Sequence, residues 1–207
     1  MDKNYYQYLT DTLTDKDNLK LCREEALSFY KSHIVSECFD TALELYASEH
    51  FQIQDVAVFL FGYIAAERAD ALSFLKGTVS VNPSWKVQEV LAMAFDAFCK
   101  ANGYEKSISV MREWMSSDNA NTRRAVTEGL RIWTSRPYFK DYPEKAIELI
   151  ASLNDDESEY VRKSIGNSLR DISKKFPNLV KAELQTWDLS SKRVLQVYRL
   201  AGKLVFE

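Results

Sequence analysis

Glycine and proline are scarce in this chain, six and four among 207 residues, so turns should be few and helices long. Cysteine is scarcer still. Cys22, Cys38 and Cys99 are odd in number, and none forms a Cys-x-x-Cys pair. That excludes a disulfide framework, and with only His33 and His50 beside them no structural zinc site is expected. The cysteines sit in apolar stretches and read as core, and the two histidines read as structural. There is no Gly-rich phosphate loop and no Ser/His/Asp set in register, which argues against a nucleotide-binding loop or a nucleophilic triad. The longest uncharged apolar run, residues 56–66, is too short to span a bilayer. The opening Met-Asp-Lys-Asn-Tyr-Tyr-Gln-Tyr lacks the basic and then apolar pattern of a signal peptide. The expectation is a reduced, cytoplasmic protein with no metal, no cofactor and no membrane partner.

Hydrophobic residues make up 46% of the chain, enough for a large core. The net charge of −3 is unfavourable for a nucleic-acid partner, but the charge is unevenly spread. Residues 121–207 hold 16 Lys/Arg against 12 Asp/Glu, and residues 1–120 hold 11 against 18. An acidic front and a basic back suit a protein that turns one surface toward an anion, although chance asymmetry in a neutral helical protein explains the count equally well.

The chain repeats. Residues 53–61 line up with 87–95 at an offset of 34, those with 122–130 at 35, and those with 161–169 at 39. A weaker echo follows at Lys192-Arg193-Val194. Each unit opens on a polar pair and continues as an aliphatic ladder, with Ala94, Gly129 or Ser168 where a neighbouring helix could approach. Helix pairs at this period predict an all-α fold, a single-domain α-solenoid superhelix of HEAT-like repeats over 1–207, with a leading helix over about 1–18 and matched repeats over about 19–207. Asp118 or Asn119 is expected to cap the central helix, Asp156 to Glu159 to hold a cap with its Glu, and Pro143 and Pro177 to open the intervening helices. Gly77 and Gly103 fall at expected helix ends. Trp114 and Trp187 are expected to cover the core.

The central stretch is Thr122 to Trp133, read as one helix. Ala125, Val126, Gly129, Leu130 and Trp133 give it an apolar stripe, and Arg124, Glu128 and Arg131 share a polar face. In a solenoid, matched positions stack into rows. The first row is Asp55, Glu89, Arg124 and Lys163; the second is Phe59, Met93, Glu128 and Asn167; the third is Gly62, Asp96, Arg131 and Arg170. The polar ladder builds toward the later repeats and should form a groove with two carboxylates, Glu89 and Glu128, among four bases, Arg124, Arg131, Lys163 and Arg170. Singly, these are solvated pairs at helical spacing, each contributing about 0.3–0.5 kcal/mol. A row running through three repeats favours a binding surface. Trp85 stands one turn before Glu89, so ring and carboxylate share a face, as they would in a pocket; a packing role is the other reading.

Residues 123–131, with Arg-Arg-x-x-x-Glu-Gly, and residues 158–172, with Glu-Tyr-Val-Arg-Lys-Ser and Asn167, resemble the bacterial AlkC/AlkD superfamily of alkylpurine DNA glycosylases, closer to the AlkC branch. The resemblance implies a superhelix that cradles duplex DNA carrying alkylated bases and excises cationic bases such as 3-methyladenine without a metal. By position it makes Glu128 and Glu89 the catalytic carboxylates. Arg124 and Arg131 become phosphate clamps and Trp85 and Trp133 an aromatic wall. Lys163, Arg170 and Asn167, from the stacked rows, complete the expected DNA-binding set, and a solenoid of this size is expected to be a monomer. Two other classes stay open: a non-catalytic repeat protein that binds bent or branched DNA, and a protein-interaction solenoid.

Overall fold

Few turn residues do mean many helices. The structure, a computed structural model, describes residues 3–206. Among them are thirteen α-helices, two single 3-10 turns and no strand. The all-α helical-repeat class expected from the period is the one observed. No helix among the described residues is long and apolar enough to cross a membrane.

The helices gather into two compact units, one ending at Asn102 and the other beginning at Gly103. The first holds α1 (Lys3–Leu13), α2 (Leu19–Ser32), α3 (Val35–Tyr46), α4 (Phe51–Ile64), α5 (Ala69–Gly77) and α6 (Trp85–Asn102). The matched segment 53–61 lies in α4, whose Ile53, Val56, Phe59, Leu60 and Ile64 are buried around the whole helix. A helix apolar on every side belongs at the centre, and α4 is enclosed by α2, α3, α5 and α6. Gly62 permits the close approach of α6: a Cβ there would lie 2.7 Å from the Cα of Ala94.

The second unit holds α7 (Ile108–Met115), α8 (Ala120–Gly129), α9 (Pro137–Asp141), α10 (Pro143–Ala151), α11 (Glu159–Ser173), α12 (Pro177–Leu184) and α13 (Lys192–Gly202). Here α11 is central, packed against α8 and α13. Thr127 Oγ1 accepts a 2.7 Å bond from Ser164 across the α8–α11 contact. Asn119 caps α8, its side chain accepting from the Asn121 amide, and Pro143 and Pro177 open α10 and α12. Gly103, just past α6, has φ +91°, a backbone setting that favours glycine. Trp114 and the three cysteines are buried, whereas Trp187 is half-buried and donates to Glu183 at 2.9 Å.

One position in the repeat ties neighbouring segments together within each unit. The second residue of each matched segment, Gln54, Gln88, Arg123 and Arg162, donates to backbone carbonyls of the loop before its own helix: Ser48, then Val79 and Asn82, then Ser117 and Asp118, then Asp156 and Glu157. Three of the four also reach forward into the following repeat. Gln54 accepts from Asn82 at 3.1 Å, Arg123 grips Asp156 through two bonds of 2.6 and 2.8 Å, and Arg162 donates to Gln196 at 2.8 Å. Asp156 is thereby drawn to Arg123, and Ser158, which precedes α11, makes no side-chain cap bond.

Candidate functional site

In the first unit the relevant face is that of α6. Trp85 opens the helix and is 65% exposed; Glu89, one turn on, is exposed as well. An α-helix places residues four apart on one side, so ring and carboxylate share an open surface, continued by the exposed Met93. The Glu89 side chain has no ion-pair partner among the described residues. Lys86, the nearby cation, is engaged elsewhere: its ammonium donates to Asp17 at 2.6 Å and lies 4.1 Å above the Phe51 ring, against 5.8 Å from that of Trp85. Asp55, on α4 of the same unit, is only 2% exposed, with one carboxylate oxygen that finds no hydrogen bond. Burial pushes its carboxyl up to about 7, Asp17 and Glu89 push the same way, and Lys86 opposes them.

In the second unit Arg124 and Glu128 share the polar face of α8 as expected, half-buried, with Arg124 in no ion pair among the described residues. Arg131 does not join them on the helix. α8 ends at Gly129, and residues 133–135 form a 3-10 turn. The expected helix over Thr122–Trp133 is therefore four residues too long. Arg136 ends it by donating to the Gly129 carbonyl at 3.0 Å, a contact that the local pattern does not announce. Trp133 is fully buried, its indole donating to the Thr127 carbonyl at 3.3 Å and its ring edge-on to Phe139. It packs the core and forms no part of an aromatic wall.

Arg131 instead points to Asp171, donating from Nε at 2.8 Å, with Glu128 3.5 Å from its Nη1. Asp171 is 6% exposed and takes a second bond, 2.7 Å, from Lys174. Burial alone would raise its carboxyl; Lys174 and Arg131 outweigh that and hold it below the usual range. Sequence reasoning missed Asp171, whose partner lies 40 residues away. On α11, Lys163 is exposed and paired with Glu159 at 2.7 Å, which raises its ammonium. Arg170 and Asn167 are half-buried, and Arg170 has no ion-pair partner among the described residues. Of the two expected carboxylates, Glu89 is unneutralised and Glu128 is shared with a cation.

A family model described as DNA alkylation repair enzyme matches residues 19–195. The crystal structure of AlkD2 from Streptococcus mutans is 50% identical and superposes with a TM-score of 0.95, covering 98% of each chain. The structure of smu.31 from Streptococcus mutans UA159, also 50% identical, gives 0.91 over 96% of this chain and 98% of that one. The Pseudomonas fluorescens alkylpurine DNA glycosylase AlkC, bound to DNA containing an abasic site analog, is 22% identical with a TM-score of 0.53, covering 89% of this chain and 61% of that one. At that identity the likeness is one of fold. Among curated proteins, the uncharacterized protein YhaZ of Bacillus subtilis (strain 168) is 38% identical over 87 residues, 40% of this chain. That match spans 24% of the relative's length.

Proposed function

We propose that this chain, which belongs to the DNA alkylation repair enzyme family, is a monofunctional DNA glycosylase that excises cationic alkylated bases such as 3-methyladenine by hydrolysing the N-glycosidic bond. The observation that carries this reading is the exposed Trp85 ring and the unneutralised Glu89 carboxylate one turn apart on α6. A base alkylated at a ring nitrogen already carries positive charge, so little acid catalysis is needed. The electron pair of the C1′–N bond departs onto the base and neutralises it, and positive charge develops on the sugar. A carboxylate beside an aromatic face stabilises that charge. It can also orient the attacking water, which adds its oxygen to C1′ and loses its proton to Glu89 or solvent. Arg124 and Arg170, cations with no ion-pair partner among the described residues, would hold backbone phosphates, and Asn167 and Lys163 would add polar contacts. Duplex DNA is the partner in this reading, the cytoplasm its setting and the monomer its working form, with the repeats of 1–207 acting as one domain and neither metal nor cofactor taking part.

A second reading, a repeat protein that binds damaged or branched DNA without cutting it, is favoured by the burial of Trp133 and the engagement of Glu128 with Arg131. The two readings separate on base release from methylated duplex DNA. The glycosylase reading expects 3-methyladenine from wild type, a fall of about 100-fold or more in Glu89→Gln and a smaller fall in Glu128→Gln. DNA binding without release by wild type selects the second reading. Neither release nor binding at low salt removes both.

A further inference from the structure

The repeat rows end at α11, yet the structure continues them. Between α11 and α13 lies a depression of about 610 Å³, within the range of ligand sites. Its floor is Leu195 and Leu200, and Gly166 lets α13 close onto α11 there: a Cβ would stand 2.6 Å from that of Leu200. Around the floor stand three cations, Lys163, Lys192 and Arg199, and two amides, Asn167 and Gln196; no carboxylate lines it. Lys163 is partly neutralised by Glu159, but Lys192 and Arg199 are exposed and in no ion pair among the described residues. The Oε1 of Gln196 accepts from Arg162 at 2.8 Å, which leaves the Gln196 amide hydrogens as donors. The depression therefore offers an excess of hydrogen-bond donors and positive charge above an apolar floor.

We propose that this depression is a phosphate seat, with Lys192 and Arg199 as its principal ligands and Gln196 and Asn167 as neutral donors. Resting on the DNA reading above, its occupant is a backbone phosphate, with the adjoining sugar or base edge on Leu195 and Leu200. The seat extends the basic surface into the last helix, where the sequence shows only a weak echo of the repeat at Lys192-Arg193-Val194. A free phosphate compound would meet the same chemistry, so the test has two arms.

In the first arm, the full-length protein is titrated with fluorescent duplex DNA across a range of salt. The proteins compared are wild type, Lys192→Ala with Arg199→Ala, and a charge-matched control, Lys140→Ala with Lys175→Ala. All four side chains are exposed, so folding is expected to survive, as circular dichroism would verify. The seat predicts about tenfold weaker binding for the first double variant and a salt slope shallower by about 0.9, the share of the one phosphate it neutralises, with the control near wild type. In the second arm, inorganic pyrophosphate is added to nitrogen-15-labelled protein. Shifts of the Asn167 and Gln196 side-chain amides, lost in the Lys192/Arg199 variant, support the seat as a site for free phosphates even where DNA fails to bind, an outcome that removes the DNA reading alone. DNA binding that is equal in wild type and the Lys192/Arg199 variant, with no amide shift, overturns the seat and leaves the DNA reading standing.

Discussion

Asp55 has the most unusual surroundings of any acidic group in the first unit. Its carboxyl is buried, one oxygen is unpartnered, and its proton is held to about pH 7. An unfolded chain releases that proton near pH 4. The folded protein thus binds a proton that the unfolded chain has lost, and stability falls as pH climbs from about 4 through about 7. Asp55→Asn should remove this dependence, making the variant more stable than wild type at pH 8 by an amount on the order of a few kcal/mol, with the advantage gone near pH 4. Urea unfolding at several pH values measures it; parallel profiles for the two proteins would refute the assignment. What could be read at this scale from sequence depended on distance along the chain. Trp85 and Glu89 are four residues apart, so helical geometry alone put them on one face. Asp171 meets Arg131 across 40 residues, and nothing local in either segment records that meeting.

At the scale of the helix, the period was legible and the endings were not. Offsets of 34 to 39 residues correctly placed α4, α6, α8 and α11, because a repeat must present the same apolar stripe each time. The end of α8 escaped because Leu130 to Trp133 has no breaker; side-chain bonds from Arg136 and the Trp133 indole, reaching back seven and six residues to the helix's own carbonyls, fix it. The Arg-Arg pair shows the same division. Arg124 was singled out for its position on the exposed face, while Arg123 carries the structural contact. Its guanidinium and the Asp156 carboxylate are 7% and 3% exposed. Truncating one member strands the other without water, so Asp156→Ala should cost about 3–5 kcal/mol. The urea midpoint should fall with the slope unchanged. A loss under about 1 kcal/mol would mean that the pair behaves as a solvated one.

Across the whole molecule, charge is divided more sharply than the net value suggests. Up to Asn102 the chain has 9 Lys/Arg against 15 Asp/Glu; from Gly103 it has 18 against 15. A polyanion should be drawn to the second unit, and its binding should weaken steeply between about 50 and 200 mM salt. Hydrogen exchange with bound DNA is expected to slow in α8, α11 and α13 and to leave α1 to α3 unchanged; protection of α1 to α3 alone would reverse this picture. The column of Gln54, Arg123 and Arg162 bears on how such a chain can be recombined. Because each of these side chains grips the loop behind it and another group in the repeat ahead, a module cut at the 34-residue period is severed from half of its own joinery. A chimera spliced so that residues 117–157 arrive together keeps Arg123 with Asp156 and should fold, whereas one spliced between Gly129 and Asp156 brings in a foreign loop and should melt early. The transplantable piece is longer than the repeat.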